Sequence, residues 1–223
     1  MTKSFNKGID IAKGNYIARI DAEDWWDKRK LEKQITFLEK NKDYVLCGAR
    51  TVFMDEEGYF LEQTKEADFL HPSIIFRNRK IYYRDFFKCS QDFDLYLRLS
   101  LLGKFYRLSK PLTFCQISFS SSLSINKRYY ARQYQKIAYD LFKERLKFGK
   151  DALDRGKAPA IKESKVGLKL CSISNLFFAK YVRYRISKKN YFLGTMYLFL
   201  SLSVYPPLMI EYWQNKLRKG GLF

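Results

Sequence analysis

Cysteine is scarce and scattered. The 223 residues hold four, Cys47, Cys89, Cys115 and Cys171, with no CxxC pair and no metal-finger spacing. They read as buried small hydrophobes in a reducing compartment. There is a single histidine, His71. It reads first as a hydrogen-bonded core residue and second as a contact to an acceptor or a phosphate. Internal repeats and low-complexity tracts are absent. Met1-Thr2-Lys3-Ser4 leads into polar sequence, so no signal peptide is expected. Acidic residues are in short supply, and unevenly so. Residues 1–126 carry 21 Lys and Arg against 17 Asp and Glu, whereas residues 127–223 carry 21 against 6, net charges of +4 and +15 that make up the total of +19. The C-terminal part therefore faces something anionic, a membrane surface or nucleic acid. Nucleic acid is the less favoured partner, because the basic region has no recognition motif and interleaves with long apolar runs.

What is present is enough to bury a core. Hydrophobic residues make up 47% and aromatics 17%, which excludes disorder for most of the chain. The length suits one full domain with an appendage. The most informative stretch is Asp21-Ala22-Glu23-Asp24-Trp25-Trp26, which ends the apolar run Tyr16 to Ile20. Carboxylates clustered at a strand end repel one another and resist desolvation unless a cation sits among them. Hard oxygen ligands on a short loop suit Mg²⁺ or Mn²⁺. A solvated acidic loop opening a helix near Lys28, capped by Asp27, accounts for the same spacing.

The spacing predicts a helix ending near Ala12 and closed by Gly14, a strand over Tyr16–Ile20, a helix over Lys28–Asn41 and a strand over Tyr44–Phe53. Met54 to Gly58 reads as a hairpin turn with Gly58 at positive φ. Another apolar segment follows over His71–Phe76. Ser90 is then placed to cap a helix with Asp92 in its first turn, where the dipole favours an anion. Asp94 and Arg98 lie four apart, at ion-pair spacing. A short strand over Phe105–Leu108 precedes Pro111. Helix alternating with strand points to an α/β layer. Arg128–Phe148 is a long amphipathic helix with Tyr134 and Leu141 on its apolar face, and 151–165 is a linker.

From Tyr191 to Ile210 there is no charged residue, between Lys188-Lys189 and the basic run from Lys216 to Lys219. Pro206-Pro207 leaves about fourteen positions for a helix, short of a bilayer core. An interfacial or re-entrant segment ringed by Lys and Arg fits the pattern, with packed helices and a transmembrane span as the alternatives.

The order of these motifs resembles a known family. Asn6-Lys7-Gly8-Ile9, Ala12-Lys13-Gly14, the strand after it and Asp21-Ala22-Glu23-Asp24 resemble the middle of a family 2 glycosyltransferase domain. There the pattern is an Asn-x-Gly-Ile helix, an Ala-Lys-Gly turn, a strand and an Asp-Ala-Asp-Asp metal motif. His71-Pro72-Ser73-Ile74-Ile75-Phe76-Arg77 resembles a later strand of that domain, and Gln91-Asp92-Phe93-Asp94-Leu95-Tyr96-Leu97-Arg98-Leu99 its Glu/Gln-Asp-Tyr-Asp-Leu-Trp-Leu-Arg-Leu signature. The agreement runs from residue 5 to about 124 and fades beyond Arg128 to a general similarity with membrane-associated members. The resemblance implies an α/β fold, an incomplete GT-A (Rossmann-like) mixed sheet flanked by helices, followed by a C-terminal helical membrane-associated region. The implied division is 1–126 for the GT-A part, 127–165 for an amphipathic helix and linker, and 166–223 for a basic and apolar helical tail.

The resemblance also implies a nucleotide-sugar donor, inversion at the anomeric carbon, and a glycan or lipid-linked acceptor at the inner face of a plasma membrane. Carried over by position, Asp21 and Glu23 hold the divalent cation, Mg²⁺ or Mn²⁺, against the donor diphosphate with Asp24 adjacent. Asp92 is the general base that deprotonates the acceptor hydroxyl. Glu23 stands where the family has Asp, which lengthens one ligand by a methylene. The family's opening strand, helix and Asp-Asp-Gly-Ser-type loop have no counterpart here, so an N-terminally shortened product is expected. Two rivals remain: a non-catalytic remnant of the same fold, and a basic membrane-peripheral interaction protein whose carboxylates are incidental.

Overall fold

The computed structural model describes residues 2–54, 58, 60–63, 69–116, 128–162, 164–187 and 189–205. Two units are distinguished, 1–117 with 131–160, and 118–130 with 161–223. In the first, β3 (Tyr44–Met54) is the spine of a mixed sheet. It runs antiparallel to β5 (Ile75–Arg77) and parallel to β6 (Lys104–Gln116). β1 (Tyr16–Ala18) lies outside β5 and β2 (Asp24–Trp26) outside β6, both antiparallel. β4 (Phe60–Gln63) pairs with the last residues of β3.

Side chains alternate across this sheet as strand geometry requires. Leu46 and its partner Phe76 pack with Ile9 of α1 (Thr2–Ile11) and with Leu95 and Leu99 of α3 (Gln91–Leu99). The neighbouring pair, Cys47 and Ile75, packs on Leu38 of α2 (Lys30–Lys40) from the other side. The result is a mixed sheet flanked by helices, as the sequence leads one to expect.

Several local readings are corrected. β1 stops at Ala18 rather than Ile20, because its partner β5 begins at Ile75, opposite Ala18, and the residues before Ile75 form a 3-10 turn instead of a strand. Residues 24–26, expected in a loop, form β2, with Trp25 opposite Phe114 and their rings stacked at 5.7 Å. Asp27 does not cap α2 from the N-cap position, which is Arg29; its carboxylate accepts the Arg29 amide at 2.8 Å one turn earlier. Ser90 precedes α3 with φ +55, a left-handed conformation, and its side chain makes no capping bond. The Ser90 hydroxyl instead donates to the Ala131 carbonyl at 3.4 Å. β6 runs through Pro111, and the register shows how. Ala49 faces Leu108 while Arg50 faces Pro111, so two extra residues bulge there and the missing N–H breaks no regular ladder. Gly58 has φ +83 as expected, though residues 55–57 of that turn lie outside the described residues.

α4 (Arg128–Phe148) buries Tyr134, Ala138 and Leu141, at helical spacing, with Tyr134 against the rings of Phe86 and Phe87. Asp94 and Arg98 do pair, at 2.9 Å, but Asp94 is fully buried. Arg84 bridges Asp94 to the buried Asp151, 2.7 Å away, and Arg145 completes the set at 2.8 Å from Asp151.

The second unit is built on a helical pair, α5 (Lys165–Val182) and α6 (Tyr191–Val204), joined through a π turn over Arg183–Ser187. Ser164 caps α5 by accepting the Gly167 amide, and Asn190 caps α6 by accepting that of Leu193. Between the helices Ser174 donates to the Ser201 carbonyl at 2.6 Å and Ser201 to that of Ser174 at 2.9 Å, both fully buried. Among the described residues no helix is long and apolar enough to cross a membrane. Pro206-Pro207 and the basic run 216–219 lie outside them.

Gly103 shows how closely the sheet is packed. A Cβ there would sit 2.7 Å from the Asp43 carbonyl oxygen, which is backbone and cannot swing aside. Gly103→Ala is expected to cost about 1–3 kcal/mol, read as a lowered urea midpoint at unchanged slope.

Candidate active site

The register of β1 on β5 builds the site. Ala18 faces Ile75, so the residues after Ala18 run beside those before Ile75, the 3-10 turn His71–Ser73. That turn is pinned by α2. Gln34 donates to the Ser73 and Cys47 carbonyls, each at 2.8 Å, and Trp26 donates from its indole to the Pro72 carbonyl at 2.8 Å. The buried Lys30 ammonium lies 3.9 Å over the Trp26 ring, and burial pushes its pKa down to about 7. On the other side α1 holds Tyr83 through a reciprocal amide pair with Asn6, both bonds 2.8 Å, and supports Arg19 on the face of Phe5 at 3.9 Å.

Four charged side chains then converge. Arg19 donates to both oxygens of Asp21, at 2.9 and 3.1 Å, and to Asp92 at 3.2 Å. His71 places Nε2 2.7 Å from Asp21 and Nδ1 3.2 Å from Asp92. Asp21 and Asp92, 71 positions apart in sequence, are thus bridged twice. Burial opposes a charged imidazole, but the bonds to Asp21 and Asp92 outweigh it and raise the His71 pKa to about 9. The His71 contact, backed by Arg19 and opposed by burial, holds Asp21 well below the usual carboxylate range.

The rest of the acidic stretch is disposed differently. Asp21 to Asp24 is a turn closed by the Asp24 amide on the Asp21 carbonyl at 3.2 Å. Glu23 is its exposed third residue, with φ +73. A non-glycine residue there costs about 1–2 kcal/mol, and such strain gathers at functional positions. Asp24 pairs with Cys115 of β6; burial raises its pKa, the nearby Asp21 charge adds to the rise, and a hydrogen bond with Cys115 opposes it. Of the residues singled out in the sequence, Asp21 and Asp92 are brought together, Asp24 lies in the same electrostatic environment, and Glu23 stands on the outer side of the turn. Arg19 and His71 were missed as members. Arg19 had a local signal, since residues i and i+2 of an extended segment share a face. His71 had none, its partners being 50 and 21 positions away.

The donor set fits a hard divalent cation. Three oxygen-bearing side chains sit on one four-residue turn, and Asp24 is a partly buried carboxylate whose charge is disfavoured as it stands. Among the described residues no three His, Cys, Asp or Glu side chains form a group placed to hold a metal ion, and the Asp21 oxygens are turned to Arg19 and His71.

Comparison with known proteins matches residues 1–101 to the family model described as glycosyl transferase family 2. The likeness to that family covers residues 1–101, under half of the 223-residue chain. Arg19, Asp21, Glu23, Asp24, His71 and Asp92 all lie within the matched segment. An uncharacterized glycosyltransferase of Methanocaldococcus jannaschii is 32% identical over 113 residues, 43% of this chain and 39% of its own length. The amylovoran biosynthesis glycosyltransferase AmsE of Erwinia amylovora is 28% identical over 119 residues, 45% of this chain and 44% of its own. The chain thus matches less than half the length of these curated relatives. The crystal structure of S. aureus TarS 1–349 superposes on 88% of this chain and 69% of its own, with 13% identity and a TM-score of 0.44.

The raised His71 pKa has a measurable sign. A group whose folded pKa, about 9, lies above its ordinary 6.5 stabilises the fold fully below pH 6.5, and that contribution is lost as pH rises through 9. Lys30 runs the opposite way between pH 7 and 10.5, so the difference between wild type and His71→Gln is the quantity to follow. Urea denaturation should show a stability gap that is widest near pH 6 and narrows steadily up to pH 9.5. A gap that stays constant across that range would mean His71 is not charged in the fold.

Proposed function

We propose that the chain carries the cation-holding and acceptor-activating part of an inverting glycosyl-transfer site, which moves a sugar from a nucleotide-sugar donor to a glycan or lipid-linked acceptor in cell-surface polysaccharide synthesis. One observation carries this reading: the turn Asp21–Asp24 and the first turn of α3 meet within the span of one imidazole ring. The family-model match over residues 1–101 and the likeness to AmsE, named as an amylovoran biosynthesis glycosyltransferase, support it.

Asp21, Glu23 and Asp24 would hold Mg²⁺ or Mn²⁺, which supplies positive charge where negative charge builds on the departing nucleoside diphosphate. Asp92 stands at a helix N-terminus and is a quarter exposed. Its carboxylate takes the proton of the acceptor hydroxyl as that oxygen bonds to the anomeric carbon. The bond from that carbon to the diphosphate oxygen breaks in the same displacement and its electron pair leaves with the nucleotide. A single displacement inverts the carbon. Asp94, two residues on, has a different task, since it is sealed into the Arg84–Asp151 network.

Asp92→Asn removes the proton acceptor while keeping size and shape. Transfer measured with radiolabelled nucleotide sugar at saturating Mn²⁺ should fall by about 10²–10⁴-fold, with donor affinity at that same Mn²⁺ within twofold of wild type. Transfer at the wild-type rate would remove Asp92 from this role. An absence of Mn²⁺-dependent donor binding in wild type would favour a non-catalytic remnant.

The second unit supports an anionic membrane surface as a partner, peripheral to the inner leaflet. Its helical pair buries serines and exposes Phe192 (81%) and Phe199 (71%), the reverse of a water-facing helix. Lys165, Lys169, Lys180, Arg183, Arg185 and Lys189 belong to the same short stretch of chain, the combination that anionic interfaces attract. Replacing Phe192 and Phe199 together by Glu should abolish flotation of the full chain with phosphatidylserine liposomes and leave its circular dichroism unchanged. Equal flotation of both forms would refute the membrane role.

A further inference from the structure

The double bridge across the site has a consequence for the order in which ligands bind. Arg19 and His71 each contact both Asp21 and Asp92. Both Asp21 oxygens are occupied, one facing Arg19 Nε and the other facing Arg19 Nη2 and His71 Nε2. His71 touches both carboxylates with opposite ends of one rigid ring, so it cannot leave Asp21 without changing its contact with Asp92. A divalent cation reaching Asp21 must therefore displace contacts already made.

We propose that His71 is a positioning residue that couples cation loading at Asp21 to the release of Asp92: while His71 bridges the two carboxylates, Asp92 is masked, and a cation taken up at Asp21 exchanges for the ring and exposes Asp92 to the acceptor. The inference rests on the reading of Asp21 and Asp92 given above. It assigns to His71 the task of keeping the base covered until the donor side is loaded. The coupling must be reciprocal. Whatever strengthens the hold of Arg19 and His71 on Asp21 weakens the cation by the same factor, and whatever loosens it strengthens the cation.

Reciprocity gives the test two opposite signs. Mn²⁺ binding to the full chain is measured at one fixed pH from the electron paramagnetic resonance signal of the free ion. His71→Gln removes the competing ring contact on Asp21 and should tighten Mn²⁺ by about five- to tenfold. Asp92→Asn leaves Arg19 and His71 to Asp21 alone and should weaken it by a similar factor. A purely structural role predicts weaker binding in both. His71→Asn serves as a second variant, and His71 being the sole histidine, its ring nitrogens give unambiguous nuclear magnetic resonance signals that should shift when Mg²⁺ is added to wild type at that same pH. Equal or weaker Mn²⁺ binding in both His71 variants, with ring signals unmoved by Mg²⁺, overturns the coupling. Asp21→Asn separates this from the reading beneath it. If that variant loses Mn²⁺ while the His71 variants match wild type, the cation site stands and the coupling fails. If Asp21→Asn binds like wild type, the cation site is elsewhere and both fall.

Discussion

Three residue pairs, Tyr16 with Arg77, Ile17 with Phe76 and Ala18 with Ile75, set Arg19 and Asp21 beside His71. A slip of one residue would exchange the two faces of β1 and turn Arg19 away from His71. The register is held by chemistry on both strands. Arg77 donates to the Tyr16 hydroxyl at 3.1 Å and to the Tyr44 carbonyl at 2.9 Å, while Phe76 is locked into the core beside Leu46. Asn78 and Lys80 extend the grip by bonding carbonyls at the end of α1 and in the turn after it, those of Gly14 and Ile9 among them. A short strand is thereby as well determined as a long one, because its neighbours are fastened at both ends.

The protein contains two clusters of alternating charge, and their burial separates their roles. Arg84, Asp94, Arg98, Arg145 and Asp151 form a closed network with both carboxylates fully buried. Removing one member of such a network strands a charge and costs about 3–5 kcal/mol, and nothing from solution can reach Asp94 or Asp151. In the cluster around Asp21 the side chains keep between 16% and 40% of their exposure. Water, a cation or a hydroxyl can therefore compete for the same oxygens. The first network fastens α3 to the segment after α4; the second uses the N-terminus of that fastened helix. A rigid support beneath an open set of charges is what a binding constellation requires.

Much of this was legible in the chain. The alternation of α2, β3, α3 and β6, the apolar periodicity of α4, and the end of the first helix near Ala12 follow from spacing and turn residues that act within a few positions. The acidic turn and Asp92 were legible as candidates because their motifs occur in a recognisable order. The misreadings share a cause. Trp25 and Trp26 form a strand only because β6 is there to pair with them, Ser90 loses its capping role to a left-handed backbone, and Pro111 is tolerated through a bulge set by β3. His71 was read first as a core histidine, and its bridging position depends on α2 holding the 71–73 turn from the opposite face of the sheet. Each is decided by a neighbour far away in sequence, which local patterns do not encode.

Left-handed backbone marks both approaches to the site. Glu23, φ +73, lies in the turn that carries Asp21, and Ser90, φ +55, lies two residues before Asp92. Neither is glycine, so each holds a conformation its side chain disfavours by about 1–2 kcal/mol. Glycine at either place would relieve the strain, yet at position 23 it would also delete a carboxylate, and at position 90 the hydroxyl that ties the start of α3 to Ala131. The strain is sustained because the surroundings over-determine it: the Asp24 strand is clamped to Cys115 on one side, and α3 is clamped by Asp94 on the other. Stability set aside at these two points orients the ends of two elements toward each other, and that orientation is what brings Asp21 and Asp92 within reach of a single ring.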